Sequence, residues 1–188
     1  MKSGFGKNKI WKLLLLLPAI LLLGYGLGKV DFSPRKPAKV ECLGQEELSA
    51  PVFSLPDLKG DRVELFSFKG QVIILEFWAT WCGPCREEIP VLNQLYRKYR
   101  DRGLVVIGIS LDRKEPEEVK KFLDQLQVDY INVMGGEEIL EKYSQIAKLG
   151  PIRAIPATFV IDRKGRICQK FLGLTEKGVL EETLHPLL

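Results

Sequence analysis

The stretch "EFWATWCGPCREEIP", residues 76–90, holds Cys82 and Cys85 apart by only Gly83 and Pro84. Ahead of the cysteines, "QVIILEFWA" (71–79) is an almost unbroken run of β-branched, aliphatic and aromatic residues. Such a run reads as a central strand covered on both faces. Behind them, Ile89, Leu92, Leu95, Tyr96 and Tyr99 recur mostly at steps of three and four, the mark of an amphipathic helix, and Gly103 supplies its stop. The cysteine pair therefore falls where a buried strand turns into a helix.

Three chemistries use two cysteines at this spacing. A structural zinc needs four ligands, and His185, the single histidine, lies at the far C-terminus. A static bridge across so short a loop removes little chain entropy, so it stabilises little. A redox pair accounts for the position. At the helix N-terminus, unpaired backbone N–H groups and the macrodipole favour negative charge on Cys82. In C-x-x-C motifs this lowers the thiol pKa from about 8.5 to between about 3.5 and 7.5. The thiolate is the species that attacks a disulfide. Cys85, one turn deeper and shielded, would act second. Gly83 frees the turn, and Pro84 suits the first helical turn, where its missing N–H costs nothing.

Outward from this junction the chain continues as alternating strands and helices. "LVVIGISLD" (104–112) reads as a second buried strand and "EPEEVKKFLDQLQ" (115–127) as a helix with Val119, Phe122, Leu123 and Leu126 inward. "YINVM" (130–134) reads as a short strand and "GEEILEKYSQIAKLG" (136–150) as a helix. "ATFVID" and "RICQKF" form a closing hairpin, and Glu176–Leu184 a last helix. Upstream, "PVFSLPDLKGDRVELFSFKG" (51–70) reads as a hairpin turning at Asp57–Asp61. This order predicts an α/β fold with parallel strands, helices on both faces and an antiparallel edge.

At the N-terminus, Lys2, Lys7, Lys9 and Lys12 precede an uncharged stretch, Leu13 to Gly28, and no acid occurs before Asp31. A basic flank before an apolar run addresses a chain to a membrane, with the basic end kept in the cytoplasm. Residues 1–29 read as a cytoplasmic tip and transmembrane anchor, with a cleaved signal peptide as the alternative. Residues 30–48, rich in proline and charge, read as a linker, and residues 49–188 as the folded domain. The catalytic domain is then expected outside the cytoplasm. The net charge of +4 is spread among acids, with no basic stripe interleaved with aromatics, so nucleic acid is not an expected partner. Cys42 and Cys168 stand alone in sequence. They read as buried small residues or idle thiols, with a bond between them as the alternative.

"FWATWCGPC" resembles the active-site motif of the thioredoxin superfamily. Together with the basic-apolar N-terminus, "PVFSLPDLKG" and "WATWCGPCREEIP", it is similar to the membrane-anchored TlpA/ResA-like thiol–disulfide oxidoreductases, over about Ser49 to the C-terminus. The resemblance implies a thioredoxin fold, a central mixed sheet flanked by helices, here with an N-terminal hairpin extension. It implies a redox disulfide between Cys82 and Cys85, Cys82 attacking and Cys85 resolving, with no metal and no cofactor. Pro156, in "AIPATFVID", matches the superfamily's cis-proline, and Ile155 before it would flank the substrate groove.

Glu76 matches the buried acid of thioredoxins, where aspartate is usual; the anchored relatives often carry a neutral residue there. Burial would raise its pKa and make it a proton acceptor for Cys85. Glu88 matches an acidic position near the active site of this branch, although any acid in a first helical turn also complements the dipole. Trp81 would line the exposed rim. The implied partners are protein disulfides or dithiols, reduced during cytochrome c maturation by family analogy, and a membrane electron donor. Two rivals stand beside this reading: copper delivery on the same two thiolates, and a thiol peroxidase.

Overall fold

Strand β3 (Val72–Trp78) is buried over its whole length and forms the middle of a five-stranded sheet. The structure is a computed structural model that describes Cys42, residues 48–146 and residues 148–188. The expected anchor and most of the linker lie outside the described residues. Among those described, no helix is long and apolar enough to cross a membrane.

The remaining elements are β1 (Ser54–Pro56), β2 (Arg62–Glu64), α1 (Gly83–Tyr99), β4 (Leu104–Ser110), α2 (Pro116–Gln125), β5 (Ile131–Met134), α3 (Glu137–Ser144), β6 (Ala157–Ile161), β7 (Ile167–Leu172) and α4 (Lys177–Leu184). The order across the sheet is β5-β4-β3-β6-β7. β3, β4 and β5 run parallel, while β6 and β7 add the antiparallel edge. The fold is thus thioredoxin-like, with a mixed sheet and flanking helices. The N-terminal hairpin is present as β1 and β2. Its turn is built by Asp57, whose Oδ1 accepts the N–H groups of Lys59 and Asp61 at 2.7 and 2.9 Å. Gly60 sits there at φ +92°, a conformation that other side chains resist.

Alternation along β3 divides the core. Val72, Ile74 and Trp78 face α1, α2 and α4, meeting Ile89, Leu92, Val119, Leu123 and Leu180. Ile73, Leu75 and Phe77 face α3 and the hairpin side, meeting Phe53, Leu65, Ile139 and Tyr143. Helix α1 ends as its pattern requires, in a 3-10 turn closed by Gly103 at φ +88°. Helix α3 is shorter than the run 136–150 suggests and stops at Ser144. There the chain turns, with Ile146 O accepting Leu149 N and Gly150 N, so that Ile146, Leu149 and Ile152 pack against the α3-side core. The apolar spacing came from this packing rather than from a longer helix.

Two residues assigned to the linker belong to the folded unit. Leu48 is buried in it. Cys42 is bonded to Cys168 on β7, so these two are a disulfide and not the idle thiols the sequence favoured. A pairing across 126 residues leaves no local signal.

Gly108 on β4 lies between Glu76 of β3 and Asn132 of β5 in the register. A Cβ there would come within 2.2 Å of Asn132 Oδ1 and 2.8 Å of Trp78 Nε1. Those two atoms share a buried hydrogen bond of 3.1 Å, so neither can yield freely. Gly108→Ala is expected to break this bond and cost about 1–3 kcal/mol, as overpacking does. The measurement is a fall in Tm with a changed tryptophan fluorescence; an unshifted Tm would show that the site gives way.

Candidate active site

Helix α1 begins directly after Cys82, which serves as its N-cap with extended backbone. Its Sγ accepts the N–H of Cys85 at 3.2 Å, taking up a backbone donor that the helix leaves unpaired. The two sulfurs are bonded to one another, so the oxidised state is the one described. Cys85 is fully buried and Cys82 is 5 % exposed. Trp81 is 69 % exposed and stands at the surface beside them.

The turn that presents Cys82 is held from below. Asp112, just past β4, is buried and accepts Thr80 N at 2.8 Å, Thr80 Oγ1 at 2.6 Å and Ser110 Oγ at 2.9 Å. Sequence reading missed Asp112. The available signal was an acid at the end of an apolar strand, "SLD", with nothing local to pair it. Arg86 is turned toward α2, its guanidinium 5.7 Å from the ring centroid of Phe122, which stacks on Trp78.

Opposite the disulfide, the Ile155–Pro156 peptide is cis, and Ile155 O lies 3.6 Å from Cys82 Sγ. The loop before it is pinned by Lys170, whose Nζ donates to the carbonyls of Leu149, Gly150 and Pro151 at 3.3, 2.7 and 3.1 Å. Beside Trp81 and Ile155 opens a groove of about 820 Å³, with Leu111, Leu140, Ile152 and Arg153 among its lining residues.

The acids lie beneath. Glu76 is on β3, opposite Thr158 of β6. Thr158 Oγ1 donates to Glu88 Oε2 at 3.2 Å, and Thr175 N donates to Glu88 Oε1 at 3.0 Å. Glu88 follows Cys85 by three residues, hence on the same face of α1. Both acids are fully buried. Neither Glu76 oxygen meets a donor among the described residues.

The chain matches the AhpC/TSA family over residues 47–170. It is 35 % identical over 180 residues to the thiol–disulfide oxidoreductase ResA of Bacillus cereus, covering 95 % of this chain and 96 % of that one. Two solved structures from Chlorobium tepidum resemble it. A thiol:disulfide interchange protein DsbE has TM-score 0.66 and 33 % identity, over 74 % of this chain and 96 % of that one. A thiol:disulfide interchange protein of the thioredoxin family has TM-score 0.68 and 28 % identity, over 77 % and 99 %. This chain belongs to the AhpC/TSA family, among its ResA-like members. It is a thiol–disulfide oxidoreductase.

In this ResA-like chain the buried acids form an electrostatic unit. Burial pushes the Glu76 carboxyl well above its ordinary range, and the charge of Glu88 pushes it further. Burial also raises Glu88, but the donors from Thr175 and Thr158 partly offset it. Two carboxylates cannot both ionise cheaply when buried together. A single proton on Glu76 resolves this, since Glu88 has donors from Thr158 and Thr175 to support its charge and Glu76 has none among the described residues. The Tyr130 hydroxyl is buried too, with no partner among the described residues, and burial followed by the charges of Glu76 and Glu88 raises its pKa.

The folded state therefore binds a proton at Glu76 that the unfolded chain releases near its ordinary carboxylate pKa. Stability falls as pH rises from the unfolded value through the raised folded one. Glu76→Gln is expected to flatten this slope. At pH 9 its Tm should exceed the wild type's by at least about 2 °C, equivalent to about 1 kcal/mol at this chain length. Parallel Tm–pH curves for the two proteins would remove the buried-proton account.

Proposed function

We propose that this chain reduces disulfides in protein substrates on the outer side of the cytoplasmic membrane, through the Cys82–Cys85 dithiol. The observation that carries the reading is the Cys82 sulfur at the N-cap of α1, taking the Cys85 N–H and facing Ile155 O. That donor stabilises a thiolate more than a thiol, so Cys82 is both the better nucleophile at neutral pH and the better leaving group.

In the reduced enzyme the Cys82 thiolate attacks one sulfur of the substrate disulfide. The substrate bond breaks, its other sulfur leaves as a thiolate that takes a proton, and a mixed disulfide remains. Cys85 then loses its proton and attacks Cys82 Sγ. This breaks the mixed disulfide and releases the second substrate thiolate, which is protonated in turn. The substrate gains two electrons and two protons, and the enzyme is left in the oxidised state described above. A dithiol donor must return the two electrons. We assign that role to a membrane protein, because the basic-apolar segment 1–29 reads as an anchor that keeps the enzyme at the bilayer.

Glu76 and Glu88 receive the proton of Cys85 in this scheme. The raised pKa of Glu76 brings it closer to that of the thiol whose proton it must take, which suits a general base. Its base form grows as pH rises through that pKa, so resolution speeds up across the same interval. The substrate docks as an extended segment. Arg153 to Ile155 makes no backbone-to-backbone hydrogen bond among the described residues, which leaves that edge open beside the sulfurs. Trp81 and the adjoining groove would receive its side chains. Apocytochrome c, kept reduced for haem attachment, is the substrate we favour by family analogy.

Cys82→Ala is expected to abolish reduction of a soluble protein disulfide. Cys85→Ala should instead accumulate mixed disulfides, whose mass-spectrometric identification names the substrate. If neither variant differs from wild type, the dithiol mechanism is wrong. Glu76→Gln should slow the resolving step about 10-fold or more, within the range that general base catalysis contributes. It should also remove the limb of the pH–rate profile in which the rate rises with pH. An unchanged profile would dismiss Glu76 as the acceptor. Stoichiometric Cu(I) binding without reductase activity would favour copper delivery, and fast peroxide turnover a peroxidase.

A further inference from the structure

The second disulfide lies at the other end of the sheet from the first. Ala157, at the start of β6, pairs with Phe77 near the catalytic junction, whereas Ile161, at its end, pairs with Ile167, the neighbour of Cys168. At about 3.3 Å per residue, these ends are separated by roughly 13 Å of strand. We propose that Cys42–Cys168 is a fixed, non-cycling bridge that fastens the chain ahead of the domain to β7, at the pole opposite Cys82–Cys85.

The surroundings of the two pairs are opposed. Cys82 caps a helix N-terminus, where negative charge is welcome. Cys42 Sγ instead lies 3.6 Å from Asp162 Oδ2. That oxygen, although paired with Arg166, offers a thiolate on either sulfur no donor and presents negative charge to an incoming one. Exchange at this bridge therefore lacks both a good leaving group and easy attack. Cys168 is also 1 % exposed, although Cys42 is only half-buried, so the difference from the first pair lies in the charge around the sulfurs rather than in burial. Asp162 is locked in place: its Oδ2 accepts Arg166 Nε and Nη2 at 2.9 and 2.7 Å, and its Oδ1 accepts the backbone N–H groups of Lys164 and Arg166, both at 2.9 Å.

Independent backbone contacts bring the entering chain to the same corner. Ser49 bridges to Arg166, and Ala50 N donates to Gly165 O at 2.9 Å. The bridge adds a covalent hold to this pairing and closes a loop around almost the whole domain, the arrangement in which a disulfide restricts the unfolded chain most.

Formation of the bridge takes two electrons and two protons from two thiols and gives them to a disulfide oxidant, such as oxidised glutathione, which becomes two thiols. The supply of that oxidant rests on the extracytoplasmic location proposed above. The sulfurs and the Asp162 carboxylate lie within 4.8 Å of one another, a spacing that would also suit a metal on two thiolates. Asp162 already has its charge and its oxygens engaged by Arg166 and two backbone donors, which favours the bridge.

The test uses the full chain made in an oxidising compartment. Thiols are blocked without reductant, the chain is digested, and linked peptides are mapped by mass spectrometry. A Cys42–Cys168 linked peptide is expected. In graded dithiothreitol redox buffers, Cys82 and Cys85 should become alkylatable at a ratio at least tenfold less reducing than Cys42 and Cys168. The double variant C42S/C168S should keep turnover of a soluble disulfide within twofold. Free thiols at 42 and 168 in the unreduced chain would overturn the proposal, as would zinc held stoichiometrically by them or co-titration of the two pairs. Loss of turnover in a folded double variant would overturn it too. The peptide map and redox titration of the wild type decide the matter even where that variant does not fold. A wild type that reduces no disulfide at all would instead defeat the functional reading and leave the map standing.

Discussion

A sulfur atom in the position of a helix N-cap is the constraint on which the chemistry depends. Ser, Thr, Asp and Asn are usual there because their oxygens accept the helix's spare N–H groups. Cys82 does this with sulfur, accepting from Cys85 N. The contact is possible only because β3 delivers the chain at the end of the sheet and α1 starts at once. Asp112 fixes that join by holding Thr80 through both its backbone and its hydroxyl. Remove the fixed join and Cys82 becomes an ordinary thiol on a loop. The fold's contribution to reactivity is thus orientation of backbone donors rather than a nearby basic side chain, since Arg86 is turned toward Phe122.

The same strand carries the compensating cost. A glutamate in the middle of a fully buried strand is unfavourable when ionised, and Glu76 finds no donor among the described residues to relieve it. Glu88 arrives from α1 with both of its oxygens already accepting, from the Thr158 hydroxyl and the Thr175 N–H. The asymmetry decides which acid holds the proton: the well-donated Glu88 tolerates charge, and the undonated Glu76 does not. The Tyr130 hydroxyl is buried and likewise unpartnered among the described residues, and the charges of the two acids add to burial in raising its pKa.

What could be read from sequence was whatever is local. The apolar run 71–79 announced β3, the spacing after Cys85 announced α1, and Asp57–Asp61 announced the hairpin, because period and turn chemistry reside in neighbouring residues. The contacts that complete the site were not legible, because each joins residues distant in sequence. Thr158 to Glu88 spans 70 residues and Thr175 to Glu88 spans 87. Asp112 looked like any acid after a strand. The run 136–150 misled for a related reason: Ile146 and Leu149 keep helical spacing while packing from a turn. Cys42 and Cys168 were illegible in the strongest sense, since nothing near either residue specifies the other.

Two disulfides in one small fold pose a problem of separation, which physical environment can solve. A bridge that exchanges readily must expose a good leaving group to attack, and a bridge that holds must deny both. In this chain the difference is written in the nearest charge. One pair meets the positive end of a helix dipole, and the other meets a carboxylate that Arg166 and two backbone N–H groups keep from turning away. The sheet then keeps the two apart, with β6 reaching from the cis-proline loop at one end to the β7 turn at the other. Had the second pair been placed at the catalytic pole, Cys85 would compete for it during each cycle. At the opposite pole it stands clear of the pair proposed to open and close.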